Sequence, residues 1–283
     1  MEFQNNVNLS EYISFKIGGP AKYFYIARTK EDLIEAVKSK LPFFILGGGS
    51  NVLALDEGYN GLVIKVATSK LEVNDNEIFT EAGVNSSDLV GLASSSSLSG
   101  LEWAAGIPGT VGGAVYGNAS AHGSRISDVI KEVEVLDKNT LEVKTLSAGE
   151  CQFSEKSSIF KKDKNLIVLS VVLRLEKGDK EAIIKKAKDN IHSREERQPL
   201  NYPSAGSMFI NLQGEEPSSV LIDKAGLKGT KVGGVEISTK HAGFIINKGK
   251  ATSKDVLELV EIIKKEVKAK YNIELEQEIQ IIK

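Results

Sequence analysis

The sequence predicts an α+β fold in three regions, on three observations. Short apolar runs of strand length alternate with helical patterns that carry their own start signals. The strand runs crowd the middle of the chain, and two glycine-rich loops lie among the strands of the first two regions. At 283 residues the chain is long for a single core. Its pattern breaks give regions 1–67, 68–176 and 177–283.

The first region reads as β-α-β. Thr29 with Asp32 forms a helix-start box, and Leu33, Ile34, Ala36 and Val37 supply one apolar face. FFIL at 43–46 is a buried-strand run, and LVIKV at 62–66 follows a Gly/Asn turn at 58–61. The second region is richer in strands. EIFTEAGV at 77–84 is one, and VIKEVEVLD, LEVKTL and LIVLSVVLRLE supply three more. SSDLVGLASSSS between them reads as a small-residue helix, its serine run a packed helix end because apolar residues flank it.

The third region opens with a charged helix whose face is Ile183, Ile184, Ala187 and Ile191, stopped by Pro199. SMFIN, VGGVEI and HAGFIIN read as short strands. Thr252 with Asp255 starts a long helix with Val256, Leu259, Val260, Ile263 and Val267 on its buried face. IELEQEIQIIK closes the chain as an alternating strand.

A net charge of −2 gives no general attraction to nucleic acid or to membrane surfaces. The opening MEFQNNVNLSEY lacks the basic and apolar parts of a signal peptide, and LIVLSVVLRL at 166–175 is too short to span a bilayer. The single cysteine, Cys151, excludes an internal disulfide and fits a reducing compartment, so a cytoplasmic protein is expected. His122, His192 and His241 have no metal-ligand spacing, and no metal is expected.

The glycine loops are GGGSN at 47–51 and the tract AGIPGTVGGAVYGNAS at 105–120. Neither contains GxxxxGK[ST] or GxGxxG, which argues against a P-loop and a Rossmann crossover. Successive backbone N–H groups in such loops make anion-binding nests. On composition, a dinucleotide held by two loops and a set of tight turns both stay open.

Beyond these loops, the motifs resemble one family. GGGSNVL at 47–53 and AGIPGTVGGAVYGNASAHG at 105–123 are similar to the two FAD-binding signatures of the UDP-N-acetylenolpyruvoylglucosamine reductase (MurB) family. KIGGPA, SAGSMFIN, LIDKAGLKG, KHAGFIIN, ATSKDV and IELEQEI follow in that family's order, across essentially the whole chain. The short passage into the third region resembles the family's type II branch.

The resemblance implies a two-subdomain FAD-binding (PCMH-type) fold, 1–67 and 68–176, plus a C-terminal α/β substrate-binding domain, 177–283, whose final strand 273–283 returns to the FAD site. It implies that NADPH reduces a non-covalently bound FAD, which then reduces UDP-N-acetylglucosamine enolpyruvate to UDP-N-acetylmuramate for peptidoglycan. The implied FAD contacts are Gly47, Gly48, Gly49, Ser50 and Asn51 in the first loop, and Gly106, Ile107, Pro108, Gly109, Gly112, Gly113 and Asn118 in the tract. His122, beside the tract, is read as structural rather than as a ligand contact or a covalent flavin attachment.

Reduction of the enolpyruvyl double bond leaves negative charge beside a carboxylate, which needs a proton at carbon and electrostatic support. By resemblance Ser207 is the proton donor, a role credible for a hydroxyl only against a very basic carbanion. Glu278 matches the family's glutamate, and Lys156 stands where the family has arginine, with Glu155 in the place of its tyrosine. Lysine keeps the charge but loses the planar fork. Asn211, Lys228 and His241 are implied substrate contacts. The rival readings are an FAD oxidoreductase of the same scaffold with another substrate, and a catalytically weak FAD-binding homologue.

Overall fold

The computed structural model describes all 283 residues, Met1–Lys283. They form two compact units, each discontinuous in sequence. The first is Met1–Phe3, Tyr25–Gly48 and Val63–Arg194; the second is Gln4–Phe24, Gly49–Leu62 and Glu195–Lys283. Breaks at 67 and 176 are therefore not where the contacts part. The chain changes unit inside the strands Pro20–Ala27 and Tyr59–Val66, within the first glycine loop, and near the end of the helix Lys180–Arg197. Pattern breaks mark where element types change, whereas compact units are decided by long-range pairing.

The first unit is built on a five-stranded antiparallel sheet, in the order Val143–Ser147, Ile130–Asp137, Leu166–Arg174, Glu77–Glu81 and Leu71–Asn74. Leu166–Arg174 is its central strand and is buried along most of its length, which explains a nearly unbroken apolar run in place of alternation. The helix Lys30–Val37 starts at Thr29 with the expected reciprocal capping box. Ser86–Ser95 is helical as the small-residue pattern requires. In Lys180–Arg197, Ile183 and Ala187 are buried but Ile191 is 38% exposed, so the predicted apolar stripe fades before the helix ends.

The second unit carries a four-stranded sheet in the order Ser204–Ser207, Phe244–Asn247, Val235–Ile237 and Lys231–Val232. Helix Ser253–Tyr271 begins with the capping box of Thr252 and Asp255 and ends on Asn272 in the left-handed conformation. Its Val256, Leu259, Val260, Ile263 and Val267 are each at most 1% exposed, a burial of roughly 1.5–3 kcal/mol per side chain. Phe15, Ile17 and Leu53 join the same core. Hydrogen bonds tie these early segments in: the Ser14 hydroxyl donates to the Ser204 carbonyl at 2.6 Å and the Asn247 side chain to the Phe15 carbonyl at 3.1 Å.

The end of the chain departs from the expected alternating strand. Only Gln280–Ile282 is a strand, paired parallel with Val52–Ala54, and the preceding stretch forms only the isolated β-bridge Phe209–Gln277. Glu274 and Glu276 are exposed while Glu278 is half-buried, so the three glutamates do not share one environment. The strands Gln4–Asn8, Pro20–Ala27 and Val52–Ala54 carry no signal read in the sequence. Gln4–Asn8 gains its order by pairing antiparallel with Pro20–Ala27, and Val52–Ala54 by pairing with Gln280–Ile282 at the far end of the chain.

Candidate active site

In the first unit the two glycine loops meet backbone to backbone. A Cβ on Gly48 would lie 2.5 Å from the Gly109 Cα, and one on Gly47 would lie 2.6 Å from the Thr110 hydroxyl oxygen. Gly112 is pressed in the same way against Ala82. The smallness of the tract thus serves first to let chain pack on chain. Of its amides, that of Ile107 donates to Ala104, Val111 to Val84 and Gly112 to Ala82. The expected nest is correspondingly narrower than a run of free N–H groups. Gly106, Pro108 and Gly113 stay exposed along it.

What the tract leaves unsatisfied is the Thr110 hydroxyl, buried and without a hydrogen-bond partner. The Lys65 ammonium donates to the Gly47 carbonyl, and burial lowers its pKa. At the tract's leading end the buried Arg194 Nε also lacks a hydrogen-bond partner. None of these three was legible as a site residue: Thr110 is one residue in a glycine motif, and Arg194 sits in a charged segment that reads as a solvated helix end.

Asn118, implied as a cofactor contact, is instead 1% exposed and has both polar ends bound to the chain. Its amide donates to the Ser154 carbonyl at 2.9 Å, and its oxygen accepts from the Ser127 amide at 3.3 Å. It supports the tight turn Ser154-Glu155-Lys156-Ser157, closed by two backbone bonds between its end residues, with Lys156 at φ +49°. The Glu155 carboxylate lies 3.6 Å from the Arg125 guanidinium. Lys161, the other cation of this segment, donates to the Lys156 carbonyl at 3.0 Å. Cys151, nearby in sequence, is fully buried, and its thiol is pushed up to about 11, mainly by burial. It is no nucleophile.

In the second unit Gly49 is packed against Tyr12 and Ile13, and Ser50 and Asn51 turn the chain into the strand Val52–Ala54. Asn51 faces the end of the chain. Its side chain donates to the Glu278 carbonyl at 3.3 Å, and its own carbonyl accepts from the Gln280 amide at 3.0 Å. The Glu278 amide donates to the Met208 carbonyl at 2.9 Å, and Met208 in turn donates to Gly243. Ser207 and Glu278, 71 positions apart in sequence, thus belong to directly bonded segments.

Ser207 follows an irregular register step between Ser204 and Ser207, where Gly206 adopts φ +77°. That conformation suits glycine, and such a bulge re-aims the next side chain. The SAGS sequence is therefore a backbone device.

The expected substrate contacts divide. The Asn211 side-chain oxygen accepts from the Ser218 amide at 2.9 Å and from its hydroxyl at 3.1 Å, starting the helix Ser218–Lys224. Its oxygen is spent on the fold. Lys228 pairs with Asp223 at 2.6 Å. The His241 Nδ1 accepts from the Gly243 amide at 3.2 Å, which assigns the ring a neutral form. Burial, with the positive Lys228 as a smaller cause, lowers its pKa. No three of the His, Cys, Asp and Glu side chains stand together as metal ligands, and no helix is long and apolar enough to cross a membrane.

A flavin dinucleotide fits what the first unit offers. Exposed glycines line an approach to two orphaned polar atoms, one a hydroxyl and one on a cation, which an anionic, hydrogen-bonding ligand would satisfy.

Comparison with known proteins agrees. An FAD binding domain matches residues 21–146, and the C-terminal domain of UDP-N-acetylenolpyruvoylglucosamine reductase matches residues 198–282. The chain is 43% identical to the UDP-N-acetylenolpyruvoylglucosamine reductase of Clostridium novyi, over 99% of this chain and 92% of that one. With the same-named protein of Caldanaerobacter subterraneus the identity is 44%, over 98% and 92%. The crystal structure of UDP-N-acetylenolpyruvylglucosamine reductase from Thermus caldophilus superposes with a TM-score of 0.86 at 34% identity, covering all of both chains.

Proposed function

Since the chain belongs to the UDP-N-acetylenolpyruvoylglucosamine reductase family, we infer its chemistry from that membership and from the residues present. It is an FAD-dependent oxidoreductase of peptidoglycan precursor synthesis, reducing the enolpyruvyl ether of UDP-N-acetylglucosamine to UDP-N-acetylmuramate. FAD, when bound, supplies the hydride chemistry, and NADPH is the electron source we assign from the family.

The observation that carries the catalytic reading is the bond from the Glu278 amide to the Met208 carbonyl, which joins the segments bearing Ser207 and Glu278. We assign Ser207 as the donor of the proton to the substrate carbon. The bulge at Gly206 gives it a fixed station, and a strongly basic carbanion makes a hydroxyl an adequate acid. Glu278, with its peptide held at both ends, is assigned to stabilise charge on the neighbouring carboxylate. Lys156 is assigned the role of the family's arginine. Arg125 engages Glu155, so the residue standing in the place of the family's tyrosine has a cationic partner other than Lys156. Lys228 and His241 are assigned to the sugar nucleotide, and the location assigned to the enzyme is the cytoplasm.

The test is a spectrum of the purified protein, then anaerobic NADPH, then the enolpyruvyl sugar nucleotide. Flavin absorbance that bleaches and recovers on the second addition is expected. Bleaching without recovery would instead favour another substrate on this scaffold.

A further inference from the structure

Arg194 is a basic side chain of the first unit whose surroundings are half a site. It lies in the last turn of the helix Lys180–Arg197, with its Nε buried and without a hydrogen-bond partner. Burial alone depresses its pKa; no carboxylate acts on it. Several other charges of this unit have ionic partners, while the Lys65 ammonium at least has the Gly47 carbonyl. Arg174 reaches Glu77 at 2.9 Å, and Glu102, only 3% exposed, accepts from Ser99 at 2.7 Å and lies 3.7 Å from Lys186. A guanidinium nitrogen desolvated without a hydrogen-bond partner or counter-charge is costly, and an anion arriving from outside would satisfy it.

The position of Arg194 says where that anion would be. A Cβ on Gly106 would stand 3.6 Å from both the Cδ and the Nε of Arg194. The helix is tied to this turn, since the Asn190 side chain donates to the Glu102 carbonyl at 2.8 Å, in the short helical turn just ahead of Gly106. Gly106 itself is exposed, at φ +73°. The guanidinium is therefore fixed beside the open, leading end of the glycine tract.

We propose that Arg194 binds the diphosphate of the FAD cofactor, as a charge-assisted contact at the Gly106 end of the tract. The inference rests on the FAD reading above. Of the parts of oxidised FAD only the diphosphate carries full negative charge, and the guanidinium fork matches phosphate oxygens.

The experiment compares the wild-type chain with Arg194→Met and Arg194→Lys. Flavin is stripped, affinities for FAD and for riboflavin are measured by flavin fluorescence, and the melting of each flavin-free protein is followed. FAD affinity is expected to fall about tenfold or more in Arg194→Met and by less in Arg194→Lys. Riboflavin, which has no diphosphate, is expected to bind all three alike. The flavin-free Arg194→Met protein is expected to melt higher than flavin-free wild type, because a partly desolvated, unpaired charge is gone.

Unchanged FAD affinity would overturn the proposal while leaving the FAD reading intact. Equal losses for FAD and riboflavin would overturn it in favour of a contact to the flavin ring. A lower melting temperature in the flavin-free Arg194→Met protein would overturn it in favour of a structural role. Failure of wild type to bind FAD would overturn both readings.

Discussion

The side-chain amide of Asn51 donates to the carbonyl of Glu278 at 3.3 Å, while the Glu278 amide donates to Met208. Asn51 thereby acts on the station of Glu278, besides any contact to cofactor. Asn51→Ala is expected to reduce kcat more than it raises KM, with a stability loss of about 1 kcal/mol from one hydrogen bond. Steady-state kinetics with denaturant unfolding checks this. A variant that loses only FAD affinity would return Asn51 to a pure cofactor contact.

Ser207→Ala is expected to leave flavin reduction by NADPH nearly intact and to slow reoxidation by the enolpyruvyl substrate by about 10²-fold or more, the scale of a lost general acid. Stopped-flow absorbance separates the two half-reactions. Equal loss in both would remove the proton-donor role.

Lys156 sits at φ +49° in a turn held by Asn118. Lys156→Arg keeps the charge and regains the fork, so turnover is expected to hold or rise, whereas Lys156→Ala is expected to lower it at least tenfold. Turnover at saturating substrate decides. Inactive Lys156→Arg would mean that this chain has rebuilt the site around lysine.

Gly48→Ala drives a methyl group to 2.5 Å from the Gly109 Cα, where only backbone can yield. A destabilisation of about 1–3 kcal/mol is expected, together with a lower FAD content at purification. Urea unfolding and the ratio of flavin to protein absorbance test both.

His241 has a lowered pKa, chiefly through burial. Below its ordinary value near 6.5 the unfolded chain binds a proton that the folded chain resists, so its contribution to stability is present above that pH and lost as the pH falls. Wild type is expected to lose stability more steeply than His241→Gln as the pH falls below about 6.5. Parallel slopes in denaturant titrations across that range would remove His241 as the cause.

Much of this protein was legible because its signals are local. The Thr29 and Thr252 capping boxes, the apolar face of Ser253–Tyr271 and the run 166–174 each depend on residues within a few positions, and each formed as read. The motif order gave the family for the same reason: short stretches keep their chemistry.

The sequence alone could not say what the glycines meet, because the partner of Gly48 is Gly109, 61 positions away. Nor could it say that Asn118 spends both polar ends of its side chain on the fold and Asn211 its side-chain oxygen, that Glu278 parts company with Glu274 and Glu276, or that Arg194 is left without a counter-charge. Capping, periodicity and chain punctuation are decided by neighbours in sequence. Burial, pairing and the satisfaction of polar atoms are decided by neighbours in space, and only the tertiary structure assigns those.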